Sequence, residues 1–112
     1  MLMQQFSNKE NFLDVSSDKK ENLILKILGD NYCIAILKAI KEIPKSSIEL
    51  CHETKIPVST VYRRIQTLYD LGLLLVSGTI TDDGKRVFLY KSKIKSIDAK
   101  FNGQLEVKII FK

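Results

Sequence analysis

The chain has 112 residues, of which 45% are hydrophobic and 28% charged, and its formal net charge is +5. This length predicts one domain with a single modest core, and the composition excludes a disordered or fibrous protein. No apolar run is long enough to cross a membrane and no signal-peptide pattern is present, so we expect a cytoplasmic protein. Cys33 and Cys51 give no disulfide framework, which fits a reducing compartment.

The basic charge is unevenly distributed along the chain. Residues 1–30 carry four basic and five acidic groups, and residues 31–84 carry six of each. Residues 85–112 carry eight basic and two acidic groups, so the excess lies near the C-terminus. In the C-terminal tail this charge fits a solvated lysine-rich face and a surface for phosphates or an acidic partner equally well, whereas for the preceding strand, over about 85–91, we favour the binding surface.

The N-terminal region predicts an arm followed by a helix. Residues 1–17 have scattered apolar side chains without a period, so we expect a flexible arm. Asp18 and Glu21 have the spacing of a capping-box variant and predict a helix that ends at Leu28, before Gly29. Apolar residues cover more than half of its circumference, and we expect the second subunit of a homodimer to cover one side.

Two further helices are predicted from their caps. Asp30 is positioned to cap a helix over about 31–42. Ser46 and Glu49 have the spacing of a capping box and predict a short helix to about Thr54.

The stretch after these helices predicts a sharp turn and an amphipathic helix. Pro57 disfavours helix at Ile56, so the chain breaks there before a helix over about 58–71, which Gly72 ends. One arc of this helix is apolar, and we expect it to pack in the core, tyrosines included: Val58, Val61, Tyr62, Ile65, Leu68 and Tyr69. The opposite arc is polar, with Thr60 and Arg64 on its border: Ser59, Arg63, Gln66 and Thr67.

The C-terminal third predicts two β-hairpins. Residues 73–80 and 85–91 are rich in β-formers and are separated by the turn sequence Thr81-Asp82-Asp83-Gly84. A second hairpin is predicted over about 93–111, and its sequence is compatible with either of two alternative turns. A two-residue turn at Asn102-Gly103 would place the apolar residues of the strands on opposite faces, whereas a three-residue loop over 102–104 places them on one face. We prefer the three-residue loop.

One motif resembles a known family. Residues 59–74 follow the pattern S-T-V-Y-R-R-I-x-x-L-x-x-x-G-L-L, which resembles the recognition helix and first wing strand of winged helix-turn-helix proteins. The nearest variant is the ArsR-like group of small archaeal and bacterial transcription regulators, and the resemblance covers roughly residues 28–90. It implies an α+β, mainly α, winged helix-turn-helix domain over 18–92, with residues 93–112 as a C-terminal β-hairpin extension.

The resemblance also implies a function, namely a homodimeric transcriptional regulator that binds double-stranded DNA sequence-specifically. The helix over 58–71 would enter the major groove, and the wing over 73–91 would lie on the DNA backbone. Since arginine bonds guanine bidentately and the threonine methyl group contacts thymine, the expected base contacts are Ser59, Thr60, Arg63 and Thr67. The expected phosphate contacts are Arg64, Lys45, Ser46, Ser47, Lys85 and Arg86.

Other functions are less well supported by the residues. His52 is the only histidine, and no catalytic triad, phosphate loop or carboxylate pair is visible, so we expect no enzymatic activity. Cys51 and His52 are adjacent on a helix and diverge by about 100°, so we expect no metal site and no cofactor. No small-molecule effector is identifiable. The alternative is a winged-helix adaptor that binds proteins without sequence-specific DNA binding, since residues 31–84 carry no net charge.

Overall fold

The computed structural model describes residues 12–14 and 18–112. The predicted α+β class is confirmed. Within the described residues the chain forms four helices and five strands: β1 (Phe12–Asp14), α1 (Asp18–Leu28), α2 (Asn31–Ala39), α3 (Ser47–Thr54), α4 (Val58–Asp70), β2 (Leu74–Ile80), β3 (Arg86–Ser92), β4 (Ile94–Phe101) and β5 (Leu105–Phe111). None of these described helices has the length and apolar character that a bilayer span needs.

The chain divides into two compact units. One unit comprises residues 26–93 and therefore holds α2, α3, α4 and the β2–β3 hairpin. The other comprises the described residues up to Leu25 together with Ile94–Lys112. The domain predicted from the sequence begins at residue 18, whereas the first unit begins at Lys26. The boundary between the two units therefore falls within α1.

Helix α2 begins where predicted and ends three residues early. The Asp30 side chain caps it by accepting a hydrogen bond from the Tyr32 N–H at 3.0 Å. At the other end, Pro44 has no N–H to continue the helical bonding to the Ile40 carbonyl. The Ser92 N–H, at the end of β3, donates to this carbonyl instead, at 2.9 Å. A hydrogen bond to the hairpin thus replaces the next hydrogen bond of the helix.

The capping box of α3 is confirmed in both of its hydrogen bonds. The Glu49 N–H donates to Ser46 Oγ at 3.2 Å, and the Ser46 N–H donates to Glu49 Oε1 at 2.8 Å. The helix ends at Lys55, which adopts the left-handed conformation with φ 65°. Pro57 then precedes α4, as the predicted sharp turn requires.

Helix α4 packs through one side of its apolar arc only. Val61, Ile65 and Leu68 are buried, and α2, α3 and α4 contact one another. Val58, Tyr62 and Tyr69 are 46%, 53% and 52% exposed, so the prediction that these three residues pack in the core is wrong. All three lie on the other side of the arc, where each tyrosine can keep its phenol oxygen in water while its ring contacts the protein.

The β2–β3 hairpin is tied to the segment before α3. Its register pairs Leu74 with Ser92 and Ile80 with Arg86, and the turn at 81–84 is confirmed. The Lys45 N–H donates to the Tyr90 carbonyl at 3.0 Å, and the Tyr90 N–H donates to the Lys45 carbonyl at 2.8 Å. This antiparallel bridge fixes the position of β3 beside the start of α3.

The second unit contains a three-stranded antiparallel sheet with the order β1-β5-β4. Phe101 pairs with Leu105, which confirms the three-residue loop, and Gly103 supplies the required positive φ of 94°. Strand β1 was not predicted: residues 12–14 of the expected flexible arm pair with β5, Leu13 opposite Ile109. Residues 1–11 and 15–17 of that arm lie outside the described residues.

The burial pattern of α3 generates a stability prediction. Leu50 is 0% exposed, whereas Ile48, on the same helix, is 52% exposed. We expect Leu50→Ala to lower the free energy of unfolding by about 2–5 kcal/mol, because it leaves a cavity in the core. The matched variant Ile48→Ala should cost less than about 1 kcal/mol. Urea denaturation followed by circular dichroism measures both, and equal losses would contradict the observed packing of α3.

Candidate functional site

The outward face of α4 carries two free polar side chains one turn apart. Ser59 and Arg63 are exposed, and neither side chain hydrogen-bonds or pairs with another described residue. Thr60 is half-buried at the border of this face. Thr67 is also half-buried, and its hydroxyl donates to the Arg63 carbonyl at 3.1 Å. Arg63 is therefore the long cationic side chain that this face offers to a ligand.

Arg64 is engaged within the protein. Its Nε donates to Asp30 Oδ2 at 2.5 Å, and its guanidinium group lies 5.6 Å from the centre of the Tyr32 ring. The residue thus ties α4 to the start of α2 through an ion pair and a cation–π contact. To bind a phosphate, as the sequence predicts, Arg64 would have to exchange this carboxylate for the phosphate.

The Asp30 carboxylate accepts hydrogen bonds from three donors. Besides Arg64 and the Tyr32 N–H, the Cys33 thiol donates to its Oδ2 at 3.5 Å. Burial alone would raise the pKa of Asp30, but the hydrogen bonds from Arg64, Tyr32 and Cys33 outweigh it and hold this pKa below its usual value. Burial, reinforced by the nearby Asp30 charge, raises the pKa of Cys33 to about 11. Cys33 is therefore a protonated thiol at neutral pH and an inert one.

The residues at the start of α3 are mostly committed to local contacts. Lys45 Nζ pairs with Glu53 Oε1 at 2.6 Å, and the buried Ser46 hydroxyl accepts the capping bond described above. Ser47 is also buried, at 6% exposed, but its hydroxyl makes no hydrogen bond to a described residue. Of the three predicted phosphate contacts here, Ser47 alone has an uncommitted side chain.

The hairpin presents the two other predicted cations. Lys85 and Arg86 are exposed, and neither side chain pairs with a carboxylate among the described residues. The nearby Asp83 carboxylate accepts a hydrogen bond from the Thr81 hydroxyl within the turn. The acidic turn is thus held by its own hydrogen bonds, and the cations next to it remain available.

A groove of about 290 Å³ lies between the start of α3, α4 and β3. Its walls are mostly apolar or aromatic and include a single charged side chain: Ser46, Ser47, Ile48, Tyr62, Arg86, Val87, Phe88 and Tyr90. Burial, and secondarily the neighbouring Tyr62, raises the pKa of Tyr90, so this phenol stays neutral. The groove brings together Ser46, Ser47 and Arg86 of the predicted site residues.

The sequence analysis did not predict this groove, although β3 carries a signal for it. Arg86, Phe88 and Tyr90 alternate along the strand, and alternate residues of a strand share one face. Two aromatic side chains and an arginine on one strand face are typical of a binding surface rather than of a fully solvated strand. The other wall of the groove comes from α3 and α4 and required the tertiary structure.

Among the described residues, no three histidine, cysteine, aspartate or glutamate side chains lie close enough together to hold a metal ion. Neither the models of known protein families nor the sequences of curated proteins match this chain. The arrangement of its own side chains therefore carries the functional argument.

The Asp30–Arg64 pair generates a pH-dependent prediction. Asp30→Asn keeps a side chain that can cap α2 but removes the charge that Arg64 needs. We expect it to lower the free energy of unfolding by about 1 kcal/mol at pH 7. Because the folded-state pKa of Asp30 is lowered, its stabilisation is present above the unfolded-state pKa and is lost as pH falls through the folded-state pKa.

The difference between wild type and Asp30→Asn should therefore be constant between about pH 7 and 5 and shrink below about pH 4. Urea denaturation at several pH values measures this difference. Asp98→Asn is the control, because the Asp98 side chain is exposed and forms no ion pair with a described residue. A difference between wild type and Asp30→Asn that grows on acidification would contradict the ion pair.

Proposed function

We propose that residues 26–93 form a winged helix-turn-helix domain, that the protein binds double-stranded DNA sequence-specifically, and that it regulates transcription. The observation that carries the proposal is the two-sided character of α4. Val61, Ile65 and Leu68 are buried on one side, while Ser59 and Arg63 are exposed and uncommitted on the other. A packed helix with a free, hydrogen-bonding outer face is what base-edge recognition requires.

The surrounding elements support this assignment. Helix α3, a sharp turn through Lys55 and Pro57, and α4 follow the helix-turn-helix order, and the β2–β3 hairpin comes directly after α4 in the place of a wing. The motif over residues 59–74 resembles that of ArsR-like regulators. With 13 residues, α4 is about 20 Å long, enough to lie along a major groove about 12 Å wide.

The proposed contacts follow from which side chains are available. Arg63 would bond a guanine edge, with Ser59, Thr60 and Thr67 around it. Lys85 and Arg86 would bind phosphates from the hairpin, because neither is paired with a described carboxylate. Secondary phosphate contacts would come from the side chains at the start of α3 and from Arg64, of which two are already ion-paired: Lys45, Ser46, Ser47 and Arg64.

A protein-interaction adaptor is the second candidate function, and the hairpin surface favours it. Val76 and Ile80 on β2 and Phe88 on β3 are exposed large apolar side chains on one face of the hairpin. Clusters of this kind mark protein interfaces more often than solvated surfaces. The two functions differ in their salt dependence and in the surface on which they depend.

Arg63→Ala tests the DNA-binding proposal. If Arg63 bonds a guanine, the variant should lose about 1–3 kcal/mol of binding free energy on a site selected from random duplexes, and preference should relax at one base pair. Lys85→Ala should weaken all duplexes about equally, because phosphate contacts carry no sequence information. Fluorescence anisotropy with labelled duplexes measures both. The melting temperature of Arg63→Ala should equal that of wild type, since the side chain is exposed.

The same titrations at several salt concentrations distinguish the two candidate functions. With about 4–8 phosphate contacts per dimer, log affinity should fall with log salt at a slope near −0.9 per contact. The adaptor function predicts weak duplex binding without sequence preference. If no site is enriched from random duplexes and Arg63→Ala binds like wild type, sequence-specific recognition is wrong.

Dimerisation through α1 is part of the proposal. Ile24 and Ile27 are buried, whereas Leu23, Leu25 and Leu28 remain partly accessible. We expect Leu25→Glu to convert a dimer to a monomer in sedimentation velocity at about 10–50 μM, with an unchanged circular dichroism spectrum. The exposed Asn22→Glu on the same helix is the control and should stay dimeric. A monomeric wild type at these concentrations would refute the dimer.

A further inference from the structure

The groove between α3, α4 and β3 has the composition of a ligand site. Tyr62 of α4 and Phe88 of β3 both line it and each expose about half of their surface, and Ile48 of α3 adds an exposed aliphatic side chain. Arg86 is the one charged residue that lines the groove, so the lining includes no carboxylate. A ligand that fits these walls carries an apolar, planar body and a negative charge.

Ser47 provides a second, independent observation. It lines the groove, is 6% exposed, and its hydroxyl has no hydrogen-bond partner among the described residues. Buried hydroxyls are normally hydrogen-bonded, and leaving one unpaired is costly. Its position next to Ser46, at the first residue of α3, also places it in the positive end of the helix dipole. An acceptor oxygen of a bound ligand would satisfy this hydroxyl.

The volume of the groove restricts the size of the ligand. At about 290 Å³ the groove is at the lower end of small-molecule sites, so it holds one or two fused rings rather than a peptide. An isolated phosphate would use Arg86 and Ser47 but would leave the Tyr62 and Phe88 rings in water. A ligand with both a ring and an anionic oxygen pair uses all of these groups.

From these observations we infer that the groove binds a small aromatic carboxylate. The ring lies between Tyr62 and Phe88, one carboxylate oxygen accepts from the Ser47 hydroxyl, and the Arg86 guanidinium pairs with the carboxylate. This inference goes beyond the proposed function and does not depend on DNA binding. Because Ser47 and Arg86 are also proposed phosphate contacts, the ligand and DNA would compete for them.

The test uses the full chain, ¹⁵N-labelled, titrated with 2-naphthoate in the absence of DNA. We expect a Kd of about 0.1–1 mM, the range for a ligand of this size, with NMR shifts concentrated in the groove residues. The uncharged, equally shaped 2-naphthamide should bind wild type about tenfold more weakly. Arg86→Gln should reduce naphthoate affinity about tenfold and leave naphthamide affinity unchanged.

Two further variants separate binding from folding. Lys91→Gln removes the same charge from β3 at a residue that does not line the groove, and it should bind naphthoate like wild type. Ser47→Ala should weaken naphthoate several-fold without lowering the melting temperature of the free protein, because no hydrogen bond between described residues is lost. Equal affinities for naphthoate and naphthamide, no effect of Arg86→Gln, or shifts outside the groove would each overturn the inference.

Discussion

The antiparallel bridge between Lys45 and Tyr90 determines how the helices and the hairpin of residues 26–93 meet. Two backbone hydrogen bonds of 3.0 and 2.8 Å join the segment before α3 to the middle of β3. The bond from the Ser92 N–H to the Ile40 carbonyl extends this attachment, whereas the bond from the Lys93 N–H to the Leu73 carbonyl extends the ladder of the hairpin itself. A two-stranded hairpin is marginal on its own, so this attachment gives the hairpin a third partner and a fixed direction. The groove is a direct consequence, because Ser46 follows the bridge residue Lys45, while Arg86 and Phe88 precede the bridge residue Tyr90 on β3.

Asp30 plays a comparable part on another side of the same unit. Its carboxylate caps α2, accepts from the Cys33 thiol and pairs with Arg64 of α4. One short side chain thereby orients the α4 helix against the start of α2. As a result the two neighbouring arginines differ in availability. Arg64 is ion-paired to Asp30, while Arg63, one residue earlier, is exposed and available to a ligand.

Local sequence signals predicted much of the fold. The caps at Asp30 and at Ser46 with Glu49, the turn at 81–84 and the loop at 102–104 were all predicted correctly, because each depends on residues within a few positions. The errors came from contacts distant in sequence. Helix α2 ended early because Ser92 takes the Ile40 carbonyl, and strand β1 depends on a partner nearly a hundred residues away.

The candidate site was predictable only in part for the same reason. The helical period correctly separated Ser59 and Arg63 from Val61, Ile65 and Leu68. It could not tell which side of the apolar arc other elements cover, so Val58, Tyr62 and Tyr69 were wrongly placed in the core. The commitments of Arg64 to Asp30 and of Lys45 to Glu53, and the groove itself, depend on tertiary contacts that no periodicity encodes.

The two helices of the α3–α4 pair begin in different ways. Helix α3 is closed by a reciprocal capping box, whereas α4 follows Pro57 and has no side-chain cap. The N–H groups of Val58, Ser59 and Thr60 therefore have no partner within the helix, and they concentrate the positive end of its dipole. Because no side chain caps these amides, we expect the first turn of α4 to open more easily than that of α3 and to exchange its amide protons faster.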